Sequence, residues 1–119
     1  MIALKRAYDE LGPQDGDRFL VDRLWPRGLS KERLKLTAWL KDLAPSTELR
    51  RWYAHRTERW DEFEARYRAE LAANEAALAP LLAAARSGRI TLVYGAKDRE
   101  HNQAVVLKNV IEERLACES

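Results

Sequence analysis

The stretch ITLV at positions 90–93, followed by Tyr94 and Gly95, limits the fold more than any other part of the chain. In an extended chain, successive side chains point to opposite faces. A continuous apolar run is therefore buried only where both faces of a sheet are covered. Parallel sheets in α/β proteins provide that environment. The segment that follows, AKDREHNQAVVLKNVIEERLA, supplies a covering helix. Ala104, Leu107, Ile111 and Leu115 fall on one face at helical spacing, with Val106 and Val110 widening it. Asp98 is placed as an N-cap, which predicts a helix over 99–116.

The other elements are read in the same way. Ile2 and Leu4 alternate with Ala3 and Lys5 and give a first strand. LGPQDGDR is a loop by its Gly, Pro and Asp content. FLVD at 19–22 is a second, buried strand, and Ser30 caps a short helical turn. TAWLKDLAP fits strand and helix about equally; a third strand over 38–43 is chosen because Pro45 stops it and Ser46 opens a helix. Leu49, Trp52 and Tyr53, then Trp60, Phe63, Tyr67 and Leu71, keep helical rhythm through 46–72. This aromatic stripe is read as packing into the core rather than as a platform for bases. EAALAPLLAAARSG is a further helix with Pro80 inside it and Gly88 as its stop. The expected fold is one α/β domain over 1–119, with a small, mostly parallel sheet of three to four strands flanked by helices.

Composition narrows the function classes. With 21 basic and 19 acidic residues the net charge is only +2, so an anion site must be local rather than a global field. The single cysteine, Cys117, cannot form an internal disulfide, and no CxxC or Cys/His cluster suits zinc. No signal-peptide h-region opens the chain, and no apolar run approaches membrane-helix length, so a cytoplasmic location is expected, with no membrane partner.

In open α/β sheets, ligands bind beyond the carboxyl ends of the strands. Two polar loops leave such ends. VDRLWPRG, at 21–28, carries Asp22, Arg23, Trp25 and Arg27, and YGAKDREHN carries Tyr94, Lys97, Asp98, His101 and Asn102. Arginines in the first loop offer forked hydrogen bonding to phosphate or carboxylate. Lys97 and a helix N-terminus in the second add positive potential. His101 stands three residues after Asp98, close enough for the carboxylate to fix the imidazole tautomer for proton transfer. Each residue also has a plainer role. Asp98 serves as a cap, His101 as an exposed side chain and Tyr94 as the end of a buried strand. Trp25 serves as a packing anchor, and Arg23 and Arg27 as partners of surface acids. His55, between helices, is read as solvent-facing. No GxGxxG, GxxxxGK[ST] or GxSxG motif is present, and no metal is expected, because the spacing of Asp22, Asp98 and His101 selects none.

The blocks VDRLWPRG, AWLKDLAPS, ERWDEFEARYRAEL and LVYGAKDREHNQAVVLK, in that order, resemble the YeaO-like branch of the family catalogued as domain of unknown function 488. The resemblance spans nearly the whole chain. Asp22, Arg23, Trp25, Pro26, Arg27, Gly28, Lys97, Asp98 and His101 match its motifs. It implies a compact α/β fold in a bacterial cytoplasmic protein, and no particular activity. In longer relatives the block matching YGAKDREHN tends to carry a cysteine near its start and another beside the histidine. Gly95 and Asn102 stand near those places, so a thiol mechanism does not carry over to this chain.

The expected function is binding of a phosphate-bearing or other small anion, a nucleotide among the candidates, between the loop after strand 19–22 and the N-terminus of helix 99–116. Arg23, Trp25, Arg27, Tyr94, Lys97 and Asn102 would bind it. Asp98 and His101 would orient it or exchange a proton, as catalytic groups if the protein is an enzyme. The alternative is a nucleic-acid-binding or regulatory module using the basic and aromatic helices 46–72. Cofactor identity and homodimerisation through the long helices are left open.

Overall fold

The computed structural model describes residues 1–118. Four strands, β1 (Ile2–Arg6), β2 (Asp17–Leu20), β3 (Ala38–Trp39) and β4 (Ile90–Tyr94), form one sheet in the order β1-β4-β2-β3, with every pairing parallel. The buried run Ile90–Tyr94 occupies the centre, as its two-faced apolar character requires. Among helices of the α type, α1 spans Lys31–Leu34, α2 Thr47–Tyr53, α3 Trp60–Ala72, α4 Glu75–Ser87 and α5 Gln103–Cys117.

The two faces of the sheet are covered differently. Phe19, Val21, Ile90, Leu92 and Tyr94 point into the main core, shared with Leu49 and Tyr53 of α2, Phe63, Tyr67 and Leu71 of α3, and the apolar faces of α4 and α5. Leu20 and Val93 point the other way, into a smaller core closed by Leu34 of α1 and by Trp25, Leu29, Leu36 and Trp39. Loops and a single helical turn thus do on one face what α2 to α5 do on the other.

Three boundaries differ from the sequence expectation, each for a local reason. Strand 19–22 lies earlier, at Asp17–Leu20, because pairing with β4 begins at the polar residues Asp17 and Arg18; Val21 still donates to the Val93 carbonyl at 3.0 Å. Strand 38–43 shrinks to Ala38–Trp39, and Lys41–Leu43 turns into a 3-10 helix that carries the chain toward Pro45. Helix 99–116 starts at Gln103, and its N-cap is Asn102, whose side chain accepts from the Val105 amide. Asp98 caps a separate turn instead, taking the amides of Glu100 and His101 at 2.9 and 3.0 Å.

The packing of α2 and α3 follows from polar anchors as well as from the aromatic stripe. Ser46 caps α2 through the Leu49 amide, and Glu70 of α3 accepts both the Ser46 amide and its hydroxyl. Tyr67, fully buried, donates its hydroxyl to the Leu43 carbonyl at 2.5 Å. A buried hydroxyl that keeps a partner avoids the desolvation penalty that otherwise attends its burial.

Candidate functional site

Adjacent parallel pairing of β2 and β4 places both polar loops on one edge of the sheet, side by side. Between them and α2 lies a cleft of about 540 Å³, within the range of small-molecule sites. Its walls hold Arg23, Arg27, Arg50, His55 and His101, against one carboxylate, Asp22.

The first loop is pinned by two tryptophans. Trp39 donates its indole N–H to the Asp22 carbonyl at 2.6 Å, and Trp25 donates to the Leu29 carbonyl at 2.7 Å. The two indoles meet edge to face at 5.4 Å. Trp25 is therefore a packing anchor that also forms part of the cleft wall. Arg23 donates from its guanidinium to the carbonyls of Pro45 and Ala44, both at 3.3 Å, which fixes the head group while leaving it without a carboxylate among the described residues. Arg27 is exposed, and its carbonyl accepts the Tyr8 hydroxyl at 2.9 Å.

Braces from β1 and the turn after it hold the second loop. Arg6 donates to the Ala96 carbonyl at 2.8 Å, and Arg99 forms a two-pronged pair with Asp9 at 2.7 and 2.8 Å. Within the loop, His101 Nδ1 lies 3.0 Å from Asp98 Oδ2, the pairing expected from their spacing. Its ring meets the edge of Trp60 at 5.2 Å. The amides of Glu100 and His101 hold the Asp98 carboxyl below its ordinary pKa, so it stays ionised beside the imidazole. With Nδ1 engaged, Nε2 is the ring nitrogen left for exchange with a ligand.

Asp22 sits at the junction of the two loops. It accepts the Gly95 amide at 2.8 Å and the side-chain amide of Gln103, the first residue of α5. It thus occupies the strand-end amide that an external anion would otherwise seek. Burial pushes its pKa up to about 6, against the opposing pull of those two hydrogen bonds and the Arg50 charge. Gly95 has to be glycine for this contact: a Cβ there would stand 2.8 Å from Asp22 Oδ2.

Of the residues singled out from sequence, Arg23, Trp25, Arg27, His101 and Asn102 line the cleft. Asn102 is buried there, with its side chain divided between the Asp98 carbonyl and the Val105 amide. Tyr94, Lys97 and Asp98 are not on its wall: Tyr94 is buried in β4 and Lys97 faces solvent. Sequence reasoning missed Arg50, Tyr53, His55, Phe63 and Gln103 as wall residues. Arg50 and Tyr53 share a face of α2 at i, i+3 spacing, but nothing local shows that this face meets the β2 loop. His55 is exposed, as expected, yet it borders the cleft because Ala54 and His55 both adopt left-handed backbone, with φ of 49° and 58°.

The aromatic helices offer no open stacking surface. Trp52 has guanidinium groups of Arg59 and Arg66 over its ring at 5.1 and 4.4 Å, and Trp60 stacks on Phe63 at 5.5 Å. Among the described residues no group of three or more His, Cys, Asp or Glu could hold a metal ion, and no helix is long and apolar enough to cross a membrane.

Comparison with known proteins gives a consistent family and no chemistry. The chain is 43% identical to "Uncharacterized protein YeaO" of Escherichia coli K12 over 106 residues, covering 89% of this chain and 92% of that one. It is 41% identical to "Uncharacterized protein Rv3073c" of Mycobacterium tuberculosis H37Rv over 113 residues, 95% of each chain. "Uncharacterized protein Mb3100c" of Mycobacterium bovis matches to the same extent. No solved structure matches significantly. The DUF488-N3i family profile, described as "Inactive DUF488-N3 subclade", matches residues 1–119. The chain belongs to this subclade of the domain of unknown function 488 family.

Proposed function

We propose that the protein binds a small anion, a phosphate-bearing one above all, in the cleft at the carboxyl ends of β2 and β4. One observation carries this reading. Arg23, Arg27 and Arg50 converge on one cleft whose lining holds a single carboxylate, Asp22, and none of the three makes a salt bridge among the described residues. Guanidinium groups left without carboxylates around a concavity suit a ligand with several anionic oxygens.

Binding without turnover is favoured over catalysis. The family description, "Inactive", points that way. So does the wall itself, which among the described residues carries no serine or cysteine nucleophile. Asp98 then serves to aim His101 at the ligand, and Lys97 stands outside the contact set. The nucleic-acid reading of helices 46–72 draws no support from Trp52, whose ring already carries Arg59 and Arg66, or from Trp60, which stacks on Phe63.

A thermal-shift series with inorganic phosphate and phosphorylated small molecules tests the proposal. A ligand at 100 times its Kd stabilises the fold by about 2.7 kcal/mol, a readily measured rise in Tm. Arg50→Ala and Arg27→Ala are expected to lose the rise, and Lys97→Ala to keep it. A wild-type Tm that no anion raises at millimolar concentration would remove the proposal.

A further inference from the structure

The cleft has a second chemical character beneath its cationic rim. Tyr53, Phe63, Ala44, Pro45 and Pro26 line it with apolar and aromatic surface. Tyr53 and Phe63, with ring centroids 4.5 Å apart at 33°, pack ring against ring and together form the aromatic wall of the cleft. Tyr53 is 6% exposed, and its hydroxyl is the buried side-chain polar atom without a hydrogen-bond partner among the described residues. Tyr67, one neighbour along the same aromatic row, satisfies its own hydroxyl on a carbonyl. A buried, unpaired hydroxyl calls for an explanation, and Tyr53 borders a cleft of ligand size.

Resting on the anion reading, we infer that the ligand is a phosphate ester of a flat, ring-bearing molecule of mononucleotide size. Its phosphate meets Arg23, Arg27 and Arg50, its ring lies against the Tyr53–Phe63 wall, and a ring acceptor takes the Tyr53 hydroxyl. Size, wall and hydroxyl each contribute to this choice. Inorganic phosphate would leave most of a 540 Å³ cleft unfilled. A sugar phosphate alone would bring no ring to cover the apolar surface of Tyr53 and Phe63. An aromatic ring with few polar atoms matches a wall with one free hydroxyl.

The test uses the full chain, as wild type and as Tyr53→Phe, with four kinds of probe: inorganic phosphate, ribose 5-phosphate, the nucleoside 5′-monophosphates, and the free nucleosides. At least one monophosphate should bind more tightly than ribose 5-phosphate, inorganic phosphate and its own nucleoside. Tyr53→Phe should weaken that monophosphate about tenfold and leave ribose 5-phosphate affinity unchanged. Its ligand-free Tm should equal or exceed that of wild type, because the removed hydroxyl has no partner. Equal affinity for ribose 5-phosphate and every monophosphate, or full monophosphate affinity in Tyr53→Phe, would overturn the inference and leave the anion site standing. Failure of every phosphate, the inorganic ion included, would overturn the anion site as well.

Discussion

Two aspartates bracket β2, and they are opposites. Asp15, before the strand, is 4% exposed and held by Lys5 at 2.7 Å, Arg18 at 3.0 Å and the Gly12 amide at 3.0 Å. Burial alone would raise its pKa, but those partners outweigh burial and lower it. Its carbonyl also accepts the buried Thr91 hydroxyl at 2.8 Å, tying the loop to β4. Asp22, after the strand, has no ion pair among the described residues, and burial wins. At the amino end of the sheet the charges neutralise one another in contact. At the carboxyl end Arg99 pairs with Asp9, but Arg23, Arg27 and Arg50 are left over around the cleft. Charge that is satisfied internally builds the fold, and charge that is left unsatisfied around a cavity is available to a ligand.

Breaking the amino end should have the largest effect. Asp15→Ala leaves the mostly buried Arg18 without its carboxylate and is expected to cost about 3–5 kcal/mol in urea unfolding. A loss under 1 kcal/mol would show that the cluster contributes little.

Asp22→Asn should act with the opposite sign. With a folded pKa near 6 and an ordinary value of 3.8, the unfolded chain releases this proton first as pH rises. Wild type therefore loses stability from this group between about pH 4 and 6, and the asparagine variant does not. The variant should be more stable at pH 7 by up to about 3 kcal/mol, with the gap closing below pH 4. Stability curves that run parallel across this window would refute the assignment.

Gly95→Ala comes next. Its Cβ would push Asp22 away from the strand-end amide, at a cost of about 1–2 kcal/mol. Adding Asp22→Ala should recover part of that loss, since the second change removes the atom in the way. Smallest is Arg27→Ala, expected to change stability by less than about 0.5 kcal/mol because the side chain is exposed and makes no ion pair among the described residues. Its effect should appear only when an anion is present.

The same contrast explains what the sequence disclosed. The parallel sheet was legible because ITLV at 90–93 admits only a two-faced burial, and β4 does sit at the centre. The meeting of the two loops followed from topology, once β2 and β4 were both read as parallel strands. Local competition hid the helix start: Asp98 and Asn102 are both capping types, and only the packed structure gives each its own turn. The α2 side of the cleft was illegible for a different reason. Arg50 and Tyr53 reach the site through a contact between segments about thirty residues apart, and His55 through left-handed backbone that no glycine announces. Asp15 and Asp22 look alike in the chain; only their partners separate them.

The most direct measurement is an amide NMR titration of the full chain with inorganic phosphate. Resonances of residues 22–27, 50–55 and 95–103 are expected to shift together with one saturating Kd, while those of Lys5, Asp15 and Arg18 stay fixed. Shifts spread evenly over the surface, concentrated at the Asp15 end, or absent at millimolar phosphate would contradict an anion site at the carboxyl end of the sheet.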